Sequence, residues 1–144
     1  MAYTGRCNCG AVTATVSAEP VAVRRCWCRQ CQKAAAGGAT TNAMFPTEAI
    51  AFTGDLSGWS YVAASGNTLT QSFCGRCGTP IMGQSSARPQ FRTLRLGFLE
   101  EPHGLRPQVA IWLDEKPDWA VEDETLECFA AQPLSPSRAP VRKA

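Results

Sequence analysis

Clustered cysteines are the feature that most constrains what this chain can fold into. The 144 residues include 8 cysteines and a single histidine. Cysteines one or two residues apart can direct their thiolates at one ion, and zinc prefers four such ligands in a tetrahedral arrangement. The pattern therefore predicts a fold organised around bound metal. The three clusters are Cys7 and Cys9; Cys26, Cys28 and Cys31; and Cys74 and Cys77, while Cys128 stands apart.

Ligand counting divides these clusters into two sites. The first and third clusters together supply four thiolates, and a closed four-thiolate site leaves no position for substrate. The middle cluster supplies three thiolates, and three protein ligands with one open position are typical of a catalytic zinc site. We therefore predict two zinc ions per chain. The structural zinc is expected on Cys7, Cys9, Cys74 and Cys77, and the second, catalytic zinc on Cys26, Cys28 and Cys31.

Other chemistries for the cysteines have requirements of their own. A thioredoxin-like redox pair at Cys28 and Cys31 expects a βαβ context and would leave Cys26 unused. An iron–sulfur cluster uses four thiolates, and disulfides need an oxidising compartment. Zinc is the preferred hypothesis. Cys128 is expected to be a buried free thiol, and a ligand role for it at the second site stays open.

Composition places the chain among globular proteins. It is 44% hydrophobic and 18% charged, and its length suits one domain. We assign residues 1–131 to a zinc-binding domain and the proline-containing, basic segment 132–144 to a flexible tail. No secretory signal or membrane-spanning run is apparent, so we expect a cytoplasmic protein. A formal charge of +2 gives little reason to expect nucleic acid or membrane as a partner.

Short alternating segments separated by turns predict a mainly β fold with few short helices. Val12, Ala14 and Val16 share one face of a strand within 11–18, and Val109, Ile111 and Leu113 share one face of a strand over 108–113. A helix is expected over 29–36, stopped by two glycines. The other expected strands cover 21–25, 39–45, 50–53, 80–83 and 93–99, with a hairpin formed by 59–64 and 68–73.

Several motifs resemble one known family. They are GRCNCGAV at 5–12, CWCRQCQK at 26–33, FCGRCGTP at 73–80, PQVAIW at 107–112 and PDW at 117–119. In this order and spacing they resemble the glutathione-dependent formaldehyde-activating enzyme (GFA) family, also called the centromere protein V/GFA domain. The resemblance covers about 5–119, nearly the whole domain.

The resemblance implies a fold of small zinc-bound β-sheets, related to zinc ribbons, with the same two sets of zinc ligands. It also implies carbon–sulfur lyase chemistry, in which glutathione and formaldehyde join to form S-hydroxymethylglutathione. Its partners would then be a small-molecule thiol such as glutathione and an aldehyde. One departure is visible, because members often carry His near position 110 where this chain has Ala110. That departure implies a different substrate or reduced activity.

Three functions are consistent with these observations. The first is a zinc-dependent carbon–sulfur lyase acting on a thiol–aldehyde adduct, and its distinguishing feature is the three-ligand site. The second is a non-catalytic zinc-binding interaction module, which would present a basic stripe or exposed aromatic residues. The third is a thiol or zinc redox buffer, which would lose metal easily and form disulfides at the middle cluster.

Several residues near the middle cluster are further candidates. Four cations close to this cluster in the sequence could offset the negative charge of the site. Together with Gln30 they could also attract the carboxylates of a glutathione-like molecule, although each cation alone is expected to be a solvated surface charge. Trp27 could form part of the wall of the site. The other tryptophans are expected in or near the core, and His103 is expected in an exposed loop. The cations are Arg24, Arg25, Arg29 and Lys33, and the other tryptophans are Trp59, Trp112 and Trp119.

Overall fold

The computed structural model describes residues 3–133, and in this part of the chain eleven strands and one short α-helix form a mainly β fold. The mainly β prediction is confirmed. Within the described range, no helix is long and apolar enough to cross a membrane. The strands are β1 Tyr3–Arg6, β2 Thr13–Val16, β3 Ala22–Cys26, β4 Thr40–Pro46, β5 Ile50–Thr53, β6 Leu56–Val62, β7 Thr68–Cys74, β8 Pro80–Ser85, β9 Phe91–Arg95, β10 Val109–Ile111 and β11 Glu127–Cys128, with helix α1 at Arg29–Ala34 and 3-10 helices at Thr47–Ala49, Leu96–Phe98 and Leu113–Glu115.

Two sheets organise these strands. The smaller has the order β1-β2-β5 and is antiparallel throughout. The larger has the order β11-β10-β3-β4-β9-β8-β7-β6, and only the β11–β10 and β10–β3 pairs are parallel. An isolated bridge between Gly5 and Leu99 links the smaller sheet to the segment after β9.

The main core confirms the predicted alternation in β2. Val12, Ala14 and Val16 are all buried, and they belong to one apolar cluster with Phe45 of β4 and Leu94 of β9. Burial of apolar surface is the largest favourable contribution to the stability of a folded domain. The cluster holds the smaller sheet against residues from the larger one.

The prediction for the last strand is wrong at its end. Val109, Ala110 and Ile111 are all buried, so no exposed face alternates with a buried one in β10. Trp112 then adopts a left-handed backbone with φ of 61°, and Leu113 begins a 3-10 helix. The apolar residues at 109, 111 and 113 suggested a longer strand, because the left-handed backbone at Trp112 ends the strand without interrupting the alternation in the sequence.

The two-residue strand β11 was not predicted, since two residues carry no periodic signal. Of the expected tail 132–144, residues 134–144 lie outside the described residues. Gln132 is described, and its Oε1 accepts a hydrogen bond from Trp112 Nε1 at 3.4 Å.

Candidate metal centres

The first candidate centre brings together the four cysteines predicted to bind structural zinc. All four sulfur atoms lie within 4.8 Å of one another. The Sγ atoms of Cys7 and Cys9 are 3.7 Å apart, and those of Cys9 and Cys74 are 3.8 Å apart. A tetrahedron with Zn–S bonds of ~2.3 Å has an edge of about 3.8 Å. The donor set and its spacing therefore fit zinc.

Two glycine turns shape this centre. Gly10 and Gly78 both have φ of 79°, a backbone conformation that favours glycine. The Gly10 amide donates to the Cys7 carbonyl at 3.1 Å, and the Gly78 amide donates to the Cys74 carbonyl at 2.8 Å. Cys7 directly follows β1, and Cys74 is the last residue of β7. The turn after each of them brings the second cysteine of the pair, Cys9 or Cys77, back towards the first.

Hydrogen bonds to sulfur lower the pKa of Cys7 and of Cys77 at this centre. The Val12 amide donates to Cys7 Sγ at 3.3 Å. Thr79 Oγ1 lies 3.2 Å from Cys77 Sγ, and hydrogen bonds from the Thr79 hydroxyl, the Thr79 amide and the Cys9 amide lower the pKa of Cys77 to about 5. Donors of this kind orient metal ligands and stabilise their ionised form.

The location of the four-cysteine centre explains its structural consequence. Cys7 follows β1 of the smaller sheet, and Cys74 is the last residue of β7 in the larger sheet. Both side chains are almost fully buried within the main core. An ion bound here would tie the two sheets together.

The second candidate centre contains the three cysteines of the middle cluster. Cys26 ends β3, Cys28 caps the N-terminus of α1, and Cys31 lies in its first turn. The three sulfur atoms lie within 4.8 Å of one another. The helix positions two of them, because the Cys31 amide donates to Cys28 Sγ at 3.4 Å.

The three sulfurs of this centre share negative charge. Hydrogen bonds from the Cys26 and Cys28 thiols lower the pKa of Cys31 to about 3. The same hydrogen bonds with Cys28 and Cys31 raise the pKa of Cys26. A divalent cation displaces the remaining protons when it binds to such a group. Like the four cysteines of the first centre, these three cysteines therefore fit a metal ion.

Neither Cys128 nor His103 belongs to these two clusters in the described part of the chain. Cys128 is exposed, and its Sγ donates to the Leu126 carbonyl at 3.4 Å. The predicted burial of this thiol is wrong, because β11 lies at the edge of the larger sheet. The prediction of an exposed His103 is also wrong. Its side chain is only 4% exposed, and its Nε2 lies 3.0 Å from Glu101 Oε1.

A cavity of about 180 Å³ opens beside the three-cysteine centre. Cys26, Cys28 and Cys31 form part of its wall, and apolar walls come from Met44, Phe91, Ile111 and other side chains. Engineered cavities of about 150 Å³ bind benzene. This cavity therefore has room for a small organic molecule or for one arm of a larger one.

Two arginines in the cavity wall are almost fully buried. Arg24 is 6% exposed and Arg95 is 7% exposed. Arg95 Nη1 donates to Asn42 Oδ1 at 2.5 Å, and its Nη2 donates to Gln71 Oε1. The expectation of a solvated surface charge is wrong for Arg24. Sequence reasoning missed Arg95, although its place in a strand with buried neighbours was a signal that its side chain could point inward.

The other candidate cations lie elsewhere. Arg25 Nε donates to both carboxylate oxygens of Glu122 at 2.9 Å. Arg29 and Lys33 line a separate surface depression that also includes Gln30 and Trp59. Tertiary structure therefore divides these four cations among three places: the cavity, the Glu122 carboxylate and the surface depression.

Three of the predicted tryptophan environments are wrong. Trp27 is buried but does not line the cavity beside the cysteines, and its indole packs with Arg25 at 5.8 Å. Trp59 and Trp119 are 59% and 71% exposed. Trp112 is half-buried, and it lines the cavity instead.

Comparison with known proteins decides the family. The family model described as "Glutathione-dependent formaldehyde-activating enzyme" matches residues 2–115. The chain belongs to this family. A curated protein of Halomonas elongata, described as "Putative glutathione-dependent formaldehyde-activating enzyme", is 29% identical over 150 residues, covering 92% of this chain and 90% of that protein. The GFA resemblance noted in the sequence is confirmed.

A solved structure supports the fold assignment for this GFA-family chain. The crystal structure of a Rhodobacter sphaeroides protein matches with a TM-score of 0.56 at 21% identity, covering 68% of this chain and 88% of the other. At this level of identity the likeness concerns the fold alone.

The position where the GFA resemblance suggested a histidine is fully buried. Ala110 has 0% exposure and lies in the middle of β10, opposite Arg25 and Cys128 on the neighbouring strands. Ala110 does not line the cavity beside the three cysteines. A polar side chain at this position would be buried between strands.

Proposed function

We propose that this GFA-family chain is a zinc-dependent carbon–sulfur lyase that forms and breaks a thiol–aldehyde adduct such as S-hydroxymethylglutathione. The observation that supports the proposal is the contrast between the two cysteine centres. The four-cysteine centre has a complete ligand set at the junction of two sheets. The three-cysteine centre forms part of the wall of a cavity that can admit a small molecule.

The proposal assigns one zinc ion to each centre. Cys7, Cys9, Cys74 and Cys77 hold the structural ion, and Cys26, Cys28 and Cys31 hold the catalytic one. The chemistry that zinc supplies when bound at the second centre is a lowered pKa for a substrate thiol and polarisation of a carbonyl. Three protein thiolates leave one position of a tetrahedral site for such a substrate.

The reaction requires little from the protein beyond holding the thiol and the aldehyde at the zinc ion. A carbon–sulfur bond forms between the thiol sulfur and the aldehyde carbon, and one proton passes from the thiol to the carbonyl oxygen. No oxidant or reductant takes part. The residues of the cavity hold the two reactants together, which lowers the entropic cost of their encounter. Met44, Phe91 and Ile111 give the cavity apolar walls that limit competing water.

The test combines metal content with reaction rate. We expect the wild type, purified without added zinc, to hold two zinc ions per chain, and the folded Cys28→Ser variant to hold one. Cys128→Ser is the matched control, since this cysteine lies outside both centres, and it should keep two. Exchange between free glutathione and S-hydroxymethylglutathione, followed by NMR at fixed formaldehyde, should be accelerated by the wild type and by Cys128→Ser but not by Cys28→Ser. Two zinc ions without acceleration of the exchange would contradict the lyase proposal.

A second candidate is supported by the depression beside α1. Trp59 is exposed and stacks on Tyr61 with 4.9 Å between ring centroids, and Arg29 and Lys33 lie around the same depression. An exposed aromatic residue beside cations is what a zinc-binding interaction module would present. Adduct exchange by the wild type separates the two functions, because only a lyase accelerates it, and Trp59→Ala should then leave that acceleration unchanged, since Trp59 lies outside the cavity.

A further inference from the structure

We propose that Arg24 and Arg95 form a carboxylate subsite in the cavity, so that the preferred thiol of this chain is a small molecule with a carboxylate a few bonds from its sulfur. This inference rests on the proposed function for the role of the thiol.

Arg24 has donors that nothing in the described part of the chain satisfies. Its Nε and Nη2 atoms are buried and have no hydrogen-bond partner. These two nitrogens form one edge of the guanidinium, and that edge matches the two oxygens of a carboxylate. Buried polar groups are almost always hydrogen-bonded, because leaving a donor unpaired costs free energy. The side chain therefore has the donor pair that a ligand carboxylate would complete.

Arg95 is held in place two strands away from Arg24 in the same sheet. Asn42 and Gln71 accept hydrogen bonds from its two terminal nitrogens, and both acceptors are neutral amides. Its Nε atom is buried without a partner. The guanidinium is thus fixed in orientation, while its positive charge is left without a carboxylate partner at hydrogen-bond distance.

The strand register puts the two arginines in one row. Arg24 of β3 lies opposite Asn42 of β4, and Asn42 lies opposite Arg95 of β9. Cys26 is two residues beyond Arg24 on β3, so both side chains point to the same face of the sheet. Two residues of strand span about 7 Å. The row of arginines is therefore close to the three sulfurs, and a short molecule can reach both.

The charge of the cavity favours an anion. Three arginines line it, since Arg88 joins Arg24 and Arg95, and no Asp or Glu among residues 3–133 lines it. The three cysteine thiolates are in the same wall, but a bound zinc ion cancels most of their charge, so the lining is net positive and concentrates anions. Both arginines line the cavity, and their unpartnered nitrogens are buried, so the side chains must rotate towards the cavity to contact a carboxylate.

The volume of the cavity limits the size of the ligand. A volume of about 180 Å³ suits a molecule slightly larger than benzene. 3-Mercaptopropionate is of this size, and it has a thiol and a carboxylate at its two ends. A tripeptide thiol would place only one arm in the cavity. The observations thus favour a short mercapto acid, or the equivalent arm of a larger thiol, as the ligand.

Calorimetric titration of the zinc-loaded protein tests the subsite with two ligands that differ in charge. The ligands are 3-mercaptopropionate and its methyl ester, which keeps the thiol and removes the negative charge. We expect the wild type to bind the acid at least about tenfold more tightly than the ester, since hydrogen bonds to a charged group carry that discrimination. Equal affinity for the two ligands would overturn the proposal without any variant.

Variants test which residues carry the discrimination. The ratio of the two affinities should fall towards one in Arg24→Gln and in Arg95→Gln. It should be unchanged in Arg106→Gln, which removes an exposed arginine outside the cavity. Circular dichroism and zinc content establish that each variant is folded and loaded. If the arginines only balance the charge of the thiolates, the variants will weaken both ligands equally and the ratio will stay high, which would overturn the proposal.

The same ligands separate this inference from the proposed function. Adduct formation from each thiol with formaldehyde is measured alongside binding. Acid-selective binding without accelerated adduct formation would support the subsite and overturn the lyase proposal. Accelerated adduct formation with equal binding of acid and ester would support the lyase proposal and overturn the subsite.

Discussion

The indole nitrogen of Trp27 donates a hydrogen bond of 2.5 Å to Glu122 Oε2, although 95 residues separate the two along the chain. Trp27 lies between two cysteines of the middle cluster, and Arg25, two residues earlier, is paired with the same carboxylate. Glu122 therefore joins the segment after β10 to the turn that carries Cys26 and Cys28. This relationship suggests that Glu122 fixes the shape of the second metal centre without contacting its sulfurs.

Replacement of Glu122 should reveal this role. We expect Glu122→Ala to lower the free energy of unfolding by about 1–3 kcal/mol, because it leaves the Trp27 indole and the Arg25 guanidinium without their acceptor. The same variant should retain less zinc at the middle cluster. Urea denaturation and metal analysis measure the two effects. Glu124→Ala is the control, since Glu124 is exposed, and equal effects of the two changes would contradict this role.

The Glu122 contribution should depend on pH in a defined direction. Burial acts to raise the pKa of Glu122, but hydrogen bonds from Trp27 and Arg25 outweigh it and hold the pKa below its ordinary value of 4.5. Stabilisation by such a group is fully present above the unfolded-state pKa and is lost as pH falls through the lower folded-state pKa. The stability difference between wild type and Glu122→Gln should therefore be constant from pH 7 to about 5 and shrink below about 4.5. A difference that grows as pH falls would contradict this sign.

Gly54 is expected to be intolerant of any side chain. A Cβ atom at this position would lie 2.0 Å from the Ala11 carbonyl oxygen, and the backbone φ is 93°. Both the contact and the left-handed conformation disfavour alanine, so Gly54→Ala should cost at least about 2 kcal/mol of stability. Gly97→Ala is the control, because a Cβ atom there meets nothing within 4 Å. Thermal denaturation of the two variants, measured side by side, should show a clear loss only for Gly54→Ala.

The two metal centres should contribute unequally to stability. Cys74 is 2% exposed and belongs to the main core that joins the sheets, whereas the middle cluster belongs to a separate, smaller apolar cluster. Cys74→Ser should cost about 3–5 kcal/mol, because it breaks the closed site that connects the sheets. The midpoint of thermal unfolding would then fall by roughly 10–20 °C. Cys28→Ser should cost clearly less, and the reverse order would contradict the structural assignment of the four-cysteine centre.

Chelation should change which cysteines react with alkylating reagents. In the zinc-loaded protein we expect Cys128 alone to be alkylated, since it is exposed and lies outside both centres. Excess chelator should make the other seven available as the domain loosens. Intact-mass analysis counts the modified thiols. Alkylation of Cys26, Cys28 or Cys31 before chelator is added would contradict metal binding at the middle cluster.

Much of the candidate site could be predicted from the cysteine spacing. Cysteines one or two residues apart are brought together by local turns, so the pairs at 7 and 9, at 28 and 31, and at 74 and 77 depend on short-range geometry alone. Strand positions with a buried and an exposed face, such as Val12, Ala14 and Val16, were also predictable. The end of β10 could not be predicted in this way, because the alternation continues to Leu113 although the backbone turns at Trp112. The strand β11 has two residues, too few for a periodic signal.

The number and grouping of the cysteines, the mainly β character and membership of the GFA family all follow from the sequence. The charges that surround the three-cysteine cluster depend on the tertiary structure. It aligned Arg24 and Arg95 from strands about 70 residues apart, and it turned Arg25 towards Glu122 instead. The physical reason is that ligand spacing within a turn is a local property of the chain, whereas the surroundings of a buried charge depend on strand register. Register is set by the packing of the whole sheet.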